Sequence, residues 1–82
     1  MNFNFDLEID LHGKTVDDVI PTLEEMFFVN SGKSIMIIHG RGSGILKKAV
    51  RDFVSSSTHI KGYAWGEDLN LPGSDGITVV YT

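Results

Sequence analysis

Eighty-two residues with a formal net charge of −4 and 41% hydrophobic content describe one globular domain, which buries roughly 60–65% of its unfolded surface. The absence of cysteine excludes disulfides and thiolate metal sites and fits a cytoplasmic setting. No apolar run exceeds four residues, which excludes a membrane-spanning helix, and Met1 to Asp6 lacks the basic start and apolar stretch of a signal peptide.

The negative balance argues against a protein that coats nucleic acid by bulk attraction. Its distribution is uneven, however. Arg41, Lys47, Lys48 and Arg51 are four of the seven basic residues and fall within eleven positions. No acid falls among them until Asp52, and seven of the eleven acids lie in the first strand and helix, at Asp6, Glu8, Asp10, Asp17, Asp18, Glu24 and Glu25. One basic edge on an acidic chain points to a local polyanion contact.

In chain order, Asp6 to Leu11 alternates strictly. Leu7, Ile9 and Leu11 point one way, while Asp6, Glu8, Asp10 and then His12 point the other. This predicts a strand with one face on the core, ended by Gly13. Thr15 fits a helix N-cap with Asp18 three positions on. Val16, Val19, Ile20, Leu23, Met26 and Phe27 then recur at helical spacing. Pro21 removes one helical hydrogen bond, and the helix should close before Gly32 as its C′ residue.

Ser34 to His39 reads as a second strand. Its run Ile35-Met36-Ile37-Ile38 is continuous, as expected for a strand covered on both faces. The turn Gly40-Arg41-Gly42-Ser43-Gly44 follows, and Ile45, Leu46, Ala49, Val50, Phe53 and Val54 mark a second helix with Ser43 as candidate N-cap. Lys47, Lys48 and Arg51 fall on its opposite face. A strand, a Gly-rich turn and a helix start form a phosphate-binding geometry, because glycine admits close backbone approach and the helix end offers unpaired N–H groups. Ile60 to Trp65, with Tyr63 and Trp65 alternating as core residues, and Gly76 to Tyr81 read as two more strands. Gly66 to Asp75 is the turn-rich loop between them.

The order β-α-β-α-β-β predicts an α/β chain folded as a two-layer α+β sandwich, a four-stranded mixed sheet with helices mainly on one side. Strand-helix-strand passages favour parallel strands, and the last pair is most simply antiparallel. Two parallel first strands would bring Asp10-Leu11-His12-Gly13 and His39-Gly40-Arg41-Gly42 together at one sheet edge, where open α/β sheets bind ligands. Asp10 beside His12 can orient an imidazole for general acid-base work. Arg41 can hold a phosphate bidentately. His39 either bonds within its own turn or joins the ligand. Three histidines without His-x-x-x-His spacing predict no metal site.

Three motifs carry a family resemblance: Asp10-Leu11-His12-Gly13 followed by Thr15-Val16-Asp17-Asp18, then Ile37 to Gly44, and Gly73 to Val80. The chain resembles a small MutS-related (Smr) domain along nearly its whole length, with residues 1–82 as one stand-alone domain and a core over about residues 5–81. The resemblance implies a fold akin to the C-terminal domain of translation initiation factor three, and endonuclease activity, on RNA above all. Asp10 and His12 inherit the catalytic assignment. His39, Gly40, Arg41, Gly42, Ser43 and Gly44 inherit substrate binding, with Lys47, Lys48 and Arg51 extending the basic edge. The closing motif departs from many relatives, with Ser74-Asp75 where they carry a second glycine and an acid.

The expected function is therefore a nucleic-acid endonuclease acting on RNA in preference to DNA, with no cofactor for RNA and a divalent metal if the substrate is DNA. The alternatives are a non-catalytic module that docks on nucleic acid or a ribonucleoprotein such as the ribosome, and a DNA-nicking endonuclease.

Overall fold

The computed structural model describes residues 4–82; Met1 to Phe3, part of the stretch read for a targeting signal, lie outside the described residues. The elements in order are β1 (Leu7–Asp10), α1 (Val16–Val29), β2 (Ser34–Ile38), α2 (Ile45–Ser56), β3 (Gly62–Trp65), one turn of 3-10 helix (Ser74–Gly76) and β4 (Ile77–Tyr81).

The four strands form one mixed sheet in the order β1-β2-β4-β3. β1 and β2 are parallel, with Asp10 opposite Ile38, while β4 runs antiparallel to both β2 and β3. β2 and β3 thus share a direction but are not neighbours, because β4 is inserted between them. That insertion puts the loop before β4 beside the turn after β2, and it is what assembles the site.

Alternation and helical spacing build the core as the sequence predicts. Leu23 and Phe27 of α1 and Val50 and Val54 of α2 are buried against Ile35, Ile37 and Val80 of the sheet, each contributing about 1.5–3 kcal/mol by leaving water. The Phe27 and Phe53 rings stack at 5.9 Å and join the two helices. Both helices therefore cover one face, giving the two layers.

The other face of β2 is also covered, as its continuous apolar run predicts. Leu71, inside the segment read as loop, is buried against Ile77 and Val79, with Phe5, Met36 and Ile38 packed alongside. A loop side chain, rather than a second layer, covers that side.

Local details differ at a few positions. Thr15 caps α1 as predicted, accepting from the Asp18 N–H and donating its hydroxyl to the Asp18 carboxylate. Pro21 lies on the exposed side of α1, and the helix runs through it to Val29, so the lost hydrogen bond falls where water can replace it. The C-cap is Asn30, which puts Gly32 one residue beyond C′. Ile45, expected on the apolar face of α2, is exposed as the first residue of the helix. Tyr63, expected in the core, is half-exposed on the edge strand β3, tilted over Trp65 at 5.0 Å.

Candidate nucleic-acid interface

The ends of β1 and β2 meet as the parallel pairing requires. The Leu11 N–H continues the ladder to the Ile38 carbonyl at 2.7 Å. Immediately beyond, Gly40 lies against His12: a side chain on Gly40 would bring a Cβ within 3.4 Å of the His12 Cβ. Gly40 also holds φ +77°, a left-handed conformation that a larger residue adopts only at a cost. The Gly-rich turn can pass this close to His12 because it begins with glycine.

Asp10 and His12 form the pair predicted from their spacing. The carboxylate oxygen Oδ1 accepts from the His12 backbone N–H at 3.1 Å and lies 3.2 Å from ring Nδ1. A carboxylate can only accept, so Nδ1 carries a proton and Nε2 is left free. The two donors, the backbone N–H first and the ring second, hold the Asp10 carboxyl below its ordinary pKa, so it is ionised at neutral pH. Both side chains are exposed, on the sheet face away from the helices.

His39 is tied into the fold through both ring nitrogens. It is 4% exposed, its Nδ1 donates to the Gly40 carbonyl at 2.9 Å, and its Nε2 accepts from the Thr78 hydroxyl at 2.8 Å. The Thr78 oxygen in turn accepts Arg51 Nε–H at 3.1 Å. Because the Gly40 carbonyl can only accept, the neutral imidazole carries its proton on Nδ1, and the Thr78 hydroxyl then donates to Nε2. Burial is the main cause of a lowered His39 pKa, and Arg51 and Lys47 push it the same way, while the bond to Gly40 opposes them. With both ring nitrogens committed inward, His39 holds the turn from below.

Arg51, expected on the basic edge, is turned inward for the same reason. Its guanidinium forks onto Glu67 at 2.6 and 2.9 Å, donates to the Ile77 carbonyl, and lies 4.5 Å over the Trp65 ring. The guanidinium bonds are the largest cause of a Glu67 pKa lowered to about 2. Four of the five N–H donors of Arg51 are therefore spent inside the fold.

The remaining basic groups split. Lys48 is exposed and pairs with Asp52 one turn along at 2.7 Å, off the cleft. Arg41 and Lys47 do face a cleft of about 420 Å³ that opens between the starts of the two helices, with Lys14 and Thr15 on one wall and Ser43 and Gly44 on the other. Asp10 and His12 stand beside this cleft rather than lining it.

Ser43 does not cap α2. The N-cap is Gly44 in a left-handed conformation (φ +84°) with no side-chain cap bond, and its own N–H is bonded to the Arg41 carbonyl at 2.9 Å. The first bond of the helix runs from Lys48 N–H to Gly44, which leaves the N–H groups of Ile45, Leu46 and Lys47 open at the cleft. Asp75 was missed by the sequence reading. Its carboxylate touches both Arg41, at 2.6 Å, and Lys47, at 3.4 Å. The signal available was its place in the closing motif, between two glycines that return the chain to the sheet edge. Thr78 and Glu67 were missed likewise. Among the described residues, no group of three or more His, Cys, Asp or Glu is placed to hold a metal ion.

Residues 9–82 match the family model of the Smr domain. The chain is 36% identical over 83 aligned positions to an endonuclease MutS2 of Caldicellulosiruptor bescii, an alignment covering 94% of this chain and 10% of that protein. It is 32% identical to endonuclease MutS2 of Clostridium beijerinckii over 94% of this chain and again 10% of the relative. The chain thus spans about a tenth of the length of these relatives. Its fold matches the crystal structure of the Smr domain of Thermus thermophilus MutS2 with a TM-score of 0.71 at 26% identity, covering 90% of this chain and 94% of that one.

Proposed function

This chain belongs to the Smr domain family, and from that premise we propose that it is an endonuclease domain that cleaves RNA at the edge formed by Asp10, His12 and the Gly-rich turn. The observation that carries the reading is the Asp10–His12 pair, with Nδ1 fixed by the carboxylate and His12 packed against Gly40, the first residue of that turn. Names of the relatives support a nuclease in general terms.

RNA brings its own nucleophile. The free Nε2 of His12 takes the proton of the 2′-hydroxyl, whose oxygen attacks the adjacent phosphorus. The bond from phosphorus to the 5′-oxygen breaks, and the leaving oxygen takes up a proton, ending in a 2′,3′-cyclic phosphate and a 5′-hydroxyl. In its protonated form the same nitrogen serves as the proton donor. Arg41 and the open N–H groups at the start of α2 are the donors on which charge developing on the phosphoryl oxygens would rest. Cleavage of DNA would need water as nucleophile, and a divalent metal to activate it.

The test is cleavage of an end-labelled single-stranded RNA, with and without EDTA, by the wild type and by His12→Ala. Cutting that persists in EDTA, vanishes in the variant and vanishes when the 2′-hydroxyl at the cut is replaced by hydrogen supports the proposal. Equal cutting of the deoxy-substituted strand overturns it. Binding without any cutting moves the assignment to a docking module.

A further inference from the structure

Asp75 occupies the middle of the 3-10 turn Ser74–Gly76. Each of its carboxylate oxygens takes one cation: Oδ1 lies 2.6 Å from Arg41 Nε and Oδ2 lies 3.4 Å from Lys47 Nζ. The three residues come from the Gly-rich turn, α2 and the loop before β4, so only the folded chain brings them together. The carboxylate is held to the same frame as the turn it contacts. The Gly76 carbonyl accepts both the His39 and the Gly40 N–H at 3.0 Å, and Ser74 holds a left-handed φ of +46° that aims the loop back at the sheet edge.

We propose that Asp75 is a specificity-determining residue, an internal anion that occupies the seat of one backbone phosphate between Arg41 and Lys47 and that a nucleic acid must displace. The inference rests on the reading of this edge as a nucleic-acid site. A phosphodiester, like the carboxylate, presents one negative charge on two oxygens, and both suit the donors of a guanidinium. Exchanging one for the other leaves the charge of the seat unchanged, so occupation of the seat alone gains little. A strand gains only if it also reaches the open N–H groups of α2 and the Lys14 ammonium across the cleft. An isolated or badly spaced anion does neither. Because the Asp75 side chain is 42% exposed, it can swing into water when it is displaced.

Asp75→Asn keeps the shape and removes the charge. The expected result is binding of a single-stranded RNA twelve-mer tightened about twofold to fivefold at low salt, as for loss of one exposed charge contact. The plot of log affinity against log salt should steepen by about 0.7, one further phosphate charge neutralised on a single strand. In parallel, inorganic pyrophosphate is titrated against both proteins while the backbone amides of Ile45 to Lys47 are followed by NMR, and the variant should respond at lower concentration. Should Asp75→Asn fold poorly by circular dichroism, Asp75→Ser makes the same test.

If the wild type binds RNA and the variant binds no tighter and with the same slope, Asp75 merely orients the cations; the inference falls and the nuclease reading stands. If neither protein binds RNA yet pyrophosphate favours the variant, the seat is as described and the nucleic-acid reading falls. If neither protein binds RNA and pyrophosphate does not distinguish them, both fall.

Discussion

The Thr78 hydroxyl lies 2.8 Å from His39 Nε2 and 3.1 Å from Arg51 Nε, so a single oxygen joins a buried histidine to a buried guanidinium. It donates to the first and accepts from the second. Through His39 the chain of bonds reaches the Gly40 carbonyl, and through Arg51 it reaches Glu67. The turn that carries Arg41 is thereby fastened to β4, to α2 and to the loop after β3.

Thr78→Val keeps the shape and removes the oxygen. It leaves one buried acceptor and one largely buried donor without their partner, a loss of about 1–3 kcal/mol in unfolding free energy. Thr78→Ser keeps the hydroxyl and should lose markedly less. Urea unfolding of the three proteins checks this, with an unchanged m-value confirming that the native fold is the same.

The same network makes stability depend on pH. His39 has a folded pKa below its ordinary 6.5, so the unfolded chain takes up its proton first. Its contribution is complete above about pH 6.5 and is lost as pH falls through the folded pKa, at no more than about 1.4 kcal/mol per pH unit. Glu67, lowered from 4.5 to about 2, contributes fully above about pH 4.5 and loses that contribution as pH falls towards 2. Unfolding curves from pH 3 to 8 should show both phases, the upper reduced in His39→Asn and the lower in Glu67→Gln.

Most of the fold was legible, because alternation in β1 and helical spacing in α1 and α2 are local signals. The pairing of Asp10 with His12 was legible for the same reason: two residues on one strand face are bound to meet. What escaped depends on contacts distant in sequence. Arg51 shares a helical face with Lys47, and nothing near it announces that Glu67, Trp65 and Thr78 will enclose it. The insertion of β4 between β2 and β3 is likewise set by long-range pairing, and with it goes the arrival of Asp75 at Arg41. Leu71 was hidden because its neighbours have the composition of a turn.

Ser43 and Thr15 offer a matched pair of substitutions. Residue preference favours both as N-caps, yet only Thr15 makes a cap bond, and α2 starts from Gly44 instead. Thr15→Ala should cost about 1 kcal/mol. Ser43→Ala should change unfolding free energy by less than about 0.5 kcal/mol, as at an unengaged surface position. A cost at Ser43 equal to that at Thr15 would mean the serine caps α2 in solution.

In the proposed cleavage Asp10 acts through His12, and this has a kinetic consequence. The carboxylate touches the histidine twice, at its backbone N–H and at Nδ1, and its role in the proposed cleavage is to keep Nε2 as the free nitrogen. His12→Ala should lower single-turnover RNA cleavage by about 10²–10⁴, the usual range for one general acid-base group. Asp10→Asn keeps a carbonyl near Nδ1 but loses the charge and admits the wrong tautomer, so it should lose a large part of the same factor. The double variant should be no slower than His12→Ala alone, because removing the orienting group cannot matter once the group it orients is gone. Affinity for uncleaved RNA should stay within about twofold throughout, as neither side chain belongs to the cation-lined cleft. A double variant slowed by the product of the two single factors would show that Asp10 meets the substrate itself.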